Sequence, residues 1–187
     1  MTNWPAEMRT ILDYQWNEVL IPYWRDLVAD ANANGVRKLC LELHGHQNVY
    51  NVETFWRLRD AVGDTVGVNF DPSHLMWMGA DPLAAIAALG PAIYHVHAKD
   101  TRLEPQALAR DGGIEIRPAE DVEHRAWNYV TLGRGHDETW WRGFCRALAA
   151  VGYDDVLSIE HEDMALPPVE GVAQSVALLR RVMPAAH

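Results

Sequence analysis

Apolar residues recur at helical spacing up to Gly35, then give way to short apolar runs alternating with further helical stretches. Ile11, Tyr14, Trp16, Val19 and Leu20 predict a helix, Pro22 a kink or break in it, and Leu27, Val28 and Ala31 its continuation. VRKLCLELH, Val36 to His44, reads as a strand, and Asn51 as the cap of a helix that ends at Gly63. VGVNF, Val66 to Phe70, is a second strand closed by Asp71-Pro72, after which Asp81-Pro82 starts a helix that stops at Gly90. AIYHVHA, Ala92 to Ala98, is a third strand. Residues 101–135 break the rhythm as a polar, Gly- and Pro-containing, lid-like insertion. Asp137 caps the next helix, ended by Gly152; DVLSIEH, Asp155 to His161, is the fourth strand, and a helix over 169–182 follows.

Strands and helices that alternate with short connections predict parallel strands joined by right-handed crossovers. No linker or change of composition divides the chain, so residues 1–187 read as one α/β domain. At 187 residues, 49% hydrophobic, it is long enough for one sizeable core. No apolar run approaches the roughly 18 residues that span a bilayer. The N-terminus lacks the basic-then-apolar order of a signal peptide. Cys40 and Cys145 both fall on or beside apolar segments, which predicts free thiols and a cytoplasmic protein. A formal net charge of −10 argues against nucleic acid as partner.

The strand ends carry the chemistry. The first offers Glu42 and His44, the second Asp71 with His74 beyond it, the third His95 and His97, the fourth Glu160 and His161. In parallel α/β architectures these ends share one face, where ligands bind. Three carboxylates converging there would repel one another, and a divalent cation resolves the conflict. Oxygen-rich ligation with one imidazole suits manganese, magnesium, cobalt or zinc. Blander roles are expected for several neighbours. His95, one layer deeper than His97, reads as a core histidine; His44 and His161 as loop residues; Lys99 and Asp100 as an exposed ion pair. Gly133–Gly135 reads as a turn, and Trp77 and Trp127 as loop residues able to line a pocket.

The segments CLELH, NFDPSHLMWMGADP, HVHAKDTR, LGRGHDETWWRGFCRAL and VLSIEHED together resemble the xylose-isomerase-like TIM-barrel superfamily of sugar (phosphate) isomerases and epimerases. The resemblance implies a metal held by Glu42, Asp71, His97 and Glu160, with Glu42 and Glu160 as the catalytic acid–base pair. It implies substrate contacts at His74, Lys99 and Arg102. The implied activity is metal-dependent isomerisation or epimerisation of a sugar, sugar phosphate or inositol derivative, by proton abstraction alpha to a carbonyl through an enediolate. Inosose dehydratase-type lyase chemistry on the same residues is the alternative. The apurinic endonucleases of this fold favour a basic surface, which this charge opposes.

A closed eight-unit barrel needs about 250 residues. Only four strand–helix units are read here, so the fold expected is an incomplete (β/α) TIM barrel, its C-terminal half. Such a half exposes two strand edges and an apolar face. That predicts a homo-oligomer, a dimer covering the open side, or a fragment of a longer product, in which case it could be a metal-binding or interaction half-barrel without turnover.

Overall fold

The computed structural model describes residues 6–184. The chain stays helical from Ala6 to Ala33: α1 (Ala6–Tyr14), a π-helical turn (Gln15–Leu20) and α2 (Ile21–Ala33). Pro22 has no N–H to donate, and the wider turn, with Ile21 N–H bonded to Trp16 O, absorbs the mismatch just ahead of it. The expected break is therefore a change of helical pitch. Trp16 is buried beneath the Arg57 guanidinium, 4.2 Å from the ring centroid.

The strands β1 (Leu39–Glu42), β2 (Val66–Phe70) and β3 (Ile93–Ala98) follow, with α3 (Val52–Val62) between the first two. Between β2 and β3 lie α4 (Pro72–Trp77) and α5 (Pro82–Leu89). Asn51, Asp81 and Asp137 cap their helices through side-chain oxygens, as the sequence predicts, and Asp71 caps the unpredicted α4. After β3 the chain forms an antiparallel pair, β4 (Asp100–Leu103) with β5 (Trp127–Val130), around α6 (Pro105–Asp111). Then come α7 (Glu138–Ala150), β6 (Leu157–Ile159) and α8 (Pro168–Val182). The insertion over 101–135 is thus ordered, and Trp127, Asn128 and Val130 within it are buried.

The main sheet runs β1-β2-β3-β6, all parallel, so β1 and β6 are its edges. One face packs against the helices: Val66, Val68, Phe70, Val96 and Ala98 meet Phe55, Leu58, Ile86, Trp141 and Phe144. The register between β2 and β3 slips between Val68 and Asn69, where Val68 faces Ile93 and Asn69 faces His95. Tyr94 is the extra residue of this bulge, and its ring lies over Gly67. A Cβ at Gly67 would collide with that ring. Gly67→Ala is expected to cost about 1–3 kcal/mol, measurable by urea unfolding.

The opposite, barrel-facing side of the sheet corrects an expectation. It carries Cys40, Gly67, Asn69, His95 and Ser158 below the carboxylates, so the open face is polar rather than apolar. His95 is accordingly half-buried and edge-on to His97 at 5.7 Å, not a core residue. No helix among the described residues is long and apolar enough to cross a membrane.

Candidate metal centre

Strand alternation turns Glu42, Asp71, His97 and Glu160 to the same side at the C-terminal ends of β1, β2, β3 and β6. One ligand atom from each lies within 4.8 Å of all the others. Nδ1 of His97 is 2.8 Å from Glu160 Oε2, 3.6 Å from Glu42 Oε2 and 3.8 Å from Asp71 Oδ2. Asp71 Oδ1 is occupied by the Ser73 amide, but its Oδ2 is buried and, among the described residues, has no hydrogen-bond partner, as is the case for Glu160 Oε2. Two orphaned carboxylate oxygens facing one imidazole nitrogen fit a divalent cation, which would satisfy them together.

The surrounding groups favour the ionised carboxylates of Glu42 and Asp71. The hydrogen bond from His74 holds the Glu42 carboxyl below its usual range. Burial pushes Asp71 up, but His97, His74 and Lys99 outweigh it and the group ends low. His97 is raised by its neighbour Asp71 against the opposing effect of burial, with Glu160 adding to the rise.

The remaining residues named from the sequence are placed as follows. His74 is buried and bonded on both ring nitrogens, Nε2 to Glu42 Oε1 at 2.7 Å and Nδ1 to the Tyr129 hydroxyl at 2.9 Å. Lys99 is only 3% exposed and sits 2.6 Å from Glu162 Oε2 and 3.3 Å from Glu160 Oε1, above the Tyr129 ring. Burial lowers its ammonium, and Asp71, Glu162 and Glu160 outweigh that and raise it. Arg102, on β4, bonds Glu104 at the surface rather than the cluster. The expected exposed Lys99–Asp100 pair does not form. Asp100 is fully buried and accepts the backbone N–H groups of Gly133, Gly135 and His136, so the predicted glycine turn cradles a carboxylate of the chain itself.

Trp77 and Trp127 are not loop residues. They end α4 and begin β5, and their rings stack 5.0 Å apart at 8°. His46 stacks on Trp77, and His44 packs 4.3 Å from the His74 ring. This aromatic wall runs outward from the carboxylate–histidine cluster. Two site residues escaped the sequence reading. Asn69, one alternation below Asp71, places Nδ2 3.3 Å from Glu42 Oε2 and 3.1 Å from His97 Nε2, and strand periodicity could have found it. Tyr129 reaches the site only because β4 and β5 pair, which no local pattern announces.

Comparison with known proteins bears on the same architecture. The chain is 48% identical over 181 residues, 97% of its length, to the uncharacterized protein YfiH of Bacillus subtilis (strain 168), and spans 58% of that relative. The structure of an IOLI protein with a bound zinc atom overlays with a TM-score of 0.62 at 23% identity, covering 87% of this chain and 54% of that one. The D-psicose 3-epimerase of Clostridium cellulolyticum H10, solved with D-tagatose, overlays at 0.57 with 18% identity, covering 88% of this chain and 55% of that one. At these identities the overlays speak to the fold. The xylose isomerase-like TIM barrel family model matches residues 6–182, and the chain belongs to that family, carrying part of its barrel.

Proposed function

We propose that Glu42, Asp71, His97 and Glu160 hold one divalent metal ion, and that the chain serves isomerisation or epimerisation of a sugar or polyol derivative. The observation that carries this reading is the pair of buried, unbonded oxygens, Asp71 Oδ2 and Glu160 Oε2, converging with His97 Nδ1. The zinc of the IOLI structure and the ketose in the epimerase structure support the ion and the substrate class. A bound cation supplies Lewis-acid stabilisation of negative charge developing on substrate oxygens.

The chain's own residues do the rest. Glu42 and Glu160 come from the two edge strands, β1 and β6, so a substrate carbon between them meets a carboxylate from either side. One takes the proton alpha to the carbonyl, and the other returns one to the opposite face or to the adjacent carbon. Lys99 steadies Glu160 through Oε1, and His74 steadies Glu42 through Oε1. The stacked Trp77 and Trp127 rings, with His46 on the far face of Trp77, shield that flank from water. Free Cys40 and Cys145 fit a reducing cytoplasm.

The test is solvent-deuterium exchange at the alpha carbon across a ketose and inosose panel with manganese present, followed by NMR. Exchange with a new sugar formed is the expected result. Exchange with loss of water would assign the lyase chemistry instead. Manganese binding without exchange on any substrate would leave a metal-binding half-barrel. The edges β1 and β6, unpaired among the described residues, also lead us to expect a dimer, and a monomer by sedimentation equilibrium at micromolar concentration would refute that.

A further inference from the structure

Tyr129 stands on β5, outside the parallel sheet, yet its hydroxyl lies 2.9 Å from Nδ1 of His74. The other ring nitrogen, Nε2, is 2.7 Å from Glu42 Oε1. An ionised carboxylate only accepts, so Nε2 carries the hydrogen of that bond. In the Nε2–H tautomer Nδ1 is an acceptor, and the phenol O–H is the donor it meets. The Trp77 indole N–H also approaches the phenol oxygen, and as a donor only it leaves the phenol O–H for Nδ1. Its ring is fixed on one side by the Lys99 ammonium, 4.1 Å from the centroid, and on another by Trp127 at 5.0 Å. The consequence falls on Glu42. With Oε1 taken by His74, Oε2 is the oxygen turned toward His97 and Asn69, at 3.6 and 3.3 Å.

We propose that Tyr129 is a positioning residue of the metal centre. By donating to Nδ1 it selects the Nε2–H form of His74, which clamps Oε1 of Glu42 and aims Oε2 at the cluster. The antiparallel β4–β5 pair thereby becomes part of the site, and His74 works as an orienting residue with both nitrogens spent inside the protein. The role at the metal rests on the metal-centre reading above; the hydrogen-bond chain does not.

Tyr129→Phe keeps the ring and removes only the O–H. In metal-free protein labelled with 15N-histidine, His74 is identified by the signals lost in His74→Gln. The expected wild-type spectrum has Nε2 protonated and Nδ1 bare but hydrogen-bonded. In Tyr129→Phe the Nδ1 signal should move to that of an unbonded nitrogen, or the second tautomer should appear. Manganese affinity by calorimetry should fall about 10-fold, the lower end for outer partners of metal ligands. In a His74→Gln background the same change should alter affinity by less than about twofold, since the ring that transmits it is gone. Should the Phe variant fail to fold, ring-fluorinated tyrosine, a stronger donor, in the otherwise unchanged chain should shift the Nδ1 signal. A protonated Nδ1 in wild type, an Nδ1 signal indifferent to Tyr129, or equal affinity losses with and without His74 would each overturn the proposal. If wild-type protein binds no manganese, the metal-centre reading fails on its own, while the ring spectra still decide what Tyr129 does.

Discussion

Glu160→Gln is expected to lose manganese affinity by about 100-fold or more, beyond the range for outer partners of metal ligands, and alpha-proton exchange by about 10²–10⁴-fold. The substitution preserves shape and leaves β6 and its register alone. What changes is the face Glu160 shows to the cluster. Oε2 lies 2.8 Å from His97 Nδ1 with no hydrogen bond, an arrangement two lone-pair donors adopt around a shared cation. An amide offers a weaker oxygen there or an N–H in its place, and it cannot take up a proton at neutral pH. Lys99 feels the loss less, because its shorter contact, 2.6 Å, is to Glu162. Calorimetry reads the affinity, and deuterium exchange reads the chemistry. A wild-type-like manganese affinity in Glu160→Gln, with circular dichroism unchanged, would sink the four-ligand centre. A related outcome is expected for Asp71→Asn, which keeps the Ser73 cap through Oδ1 and removes the charge. Saturating manganese, about 1,000 times its dissociation constant, should stabilise wild type by about 4 kcal/mol, and should leave this variant's thermal midpoint nearly unmoved.

The residues proposed as ligands were legible in the sequence because each sits at the end of a short apolar strand bounded by a cap or a glycine. Asn51, Asp81 and Asp137 fixed where helices begin, and that in turn fixed where strands must end. The edge strands were read too wide, β1 covering Leu39–Glu42 where Val36–His44 was expected and β6 Leu157–Ile159 where Asp155–His161 was, whereas β2 falls on Val66–Phe70 as read. An edge strand with one hydrogen-bonded neighbour frays sooner than its apolar run suggests. Long-range pairings were not legible. The register of Asp100–Leu103 with Trp127–Val130 spans the α6 excursion, and it alone brings Tyr129 to His74. Lys99 and Asp100 look like a solvated pair because the groups that bury them, from Tyr129 to Glu162, are remote in sequence. The polar inner face was legible by alternation through Cys40, Asn69, His95 and Ser158. The expectation of an apolar face came instead from closed barrels, whose interiors are filled with branched side chains.

Asp100→Ala is expected to destabilise the fold by about 3–5 kcal/mol, the cost of breaking a buried charge network. Asp100 has no exposed surface. Its Oδ2 accepts the N–H groups of Gly133, Gly135 and His136 at 3.0–3.1 Å, with Trp141 Nε1 at 3.3 Å, while Oδ1 pairs with His136 Nδ1 at 2.8 Å. One carboxylate thus ties the end of β3 to the loop after β5 and to the core face of α7. Removing it strands several donors at once, and neither methyl nor cavity can satisfy them. Nor can the loop close over the gap by a small shift, since Gly135 already packs directly on the Thr101 carbonyl. With domain stabilities of about 5–15 kcal/mol, the variant should unfold at much lower urea and show early loss of Trp141 burial by fluorescence. The surface pair Asp121–His124 supplies the control. Asp121→Ala removes a carboxylate that is 39% exposed and should move stability by about 0–1 kcal/mol. Similar midpoints for the two variants would mean that the cradle around Asp100 carries no more than a surface contact. A large difference confined to Asp100 would make it the residue that holds the β4–β5 pair, and with it Tyr129, against the strands that carry the proposed ligands.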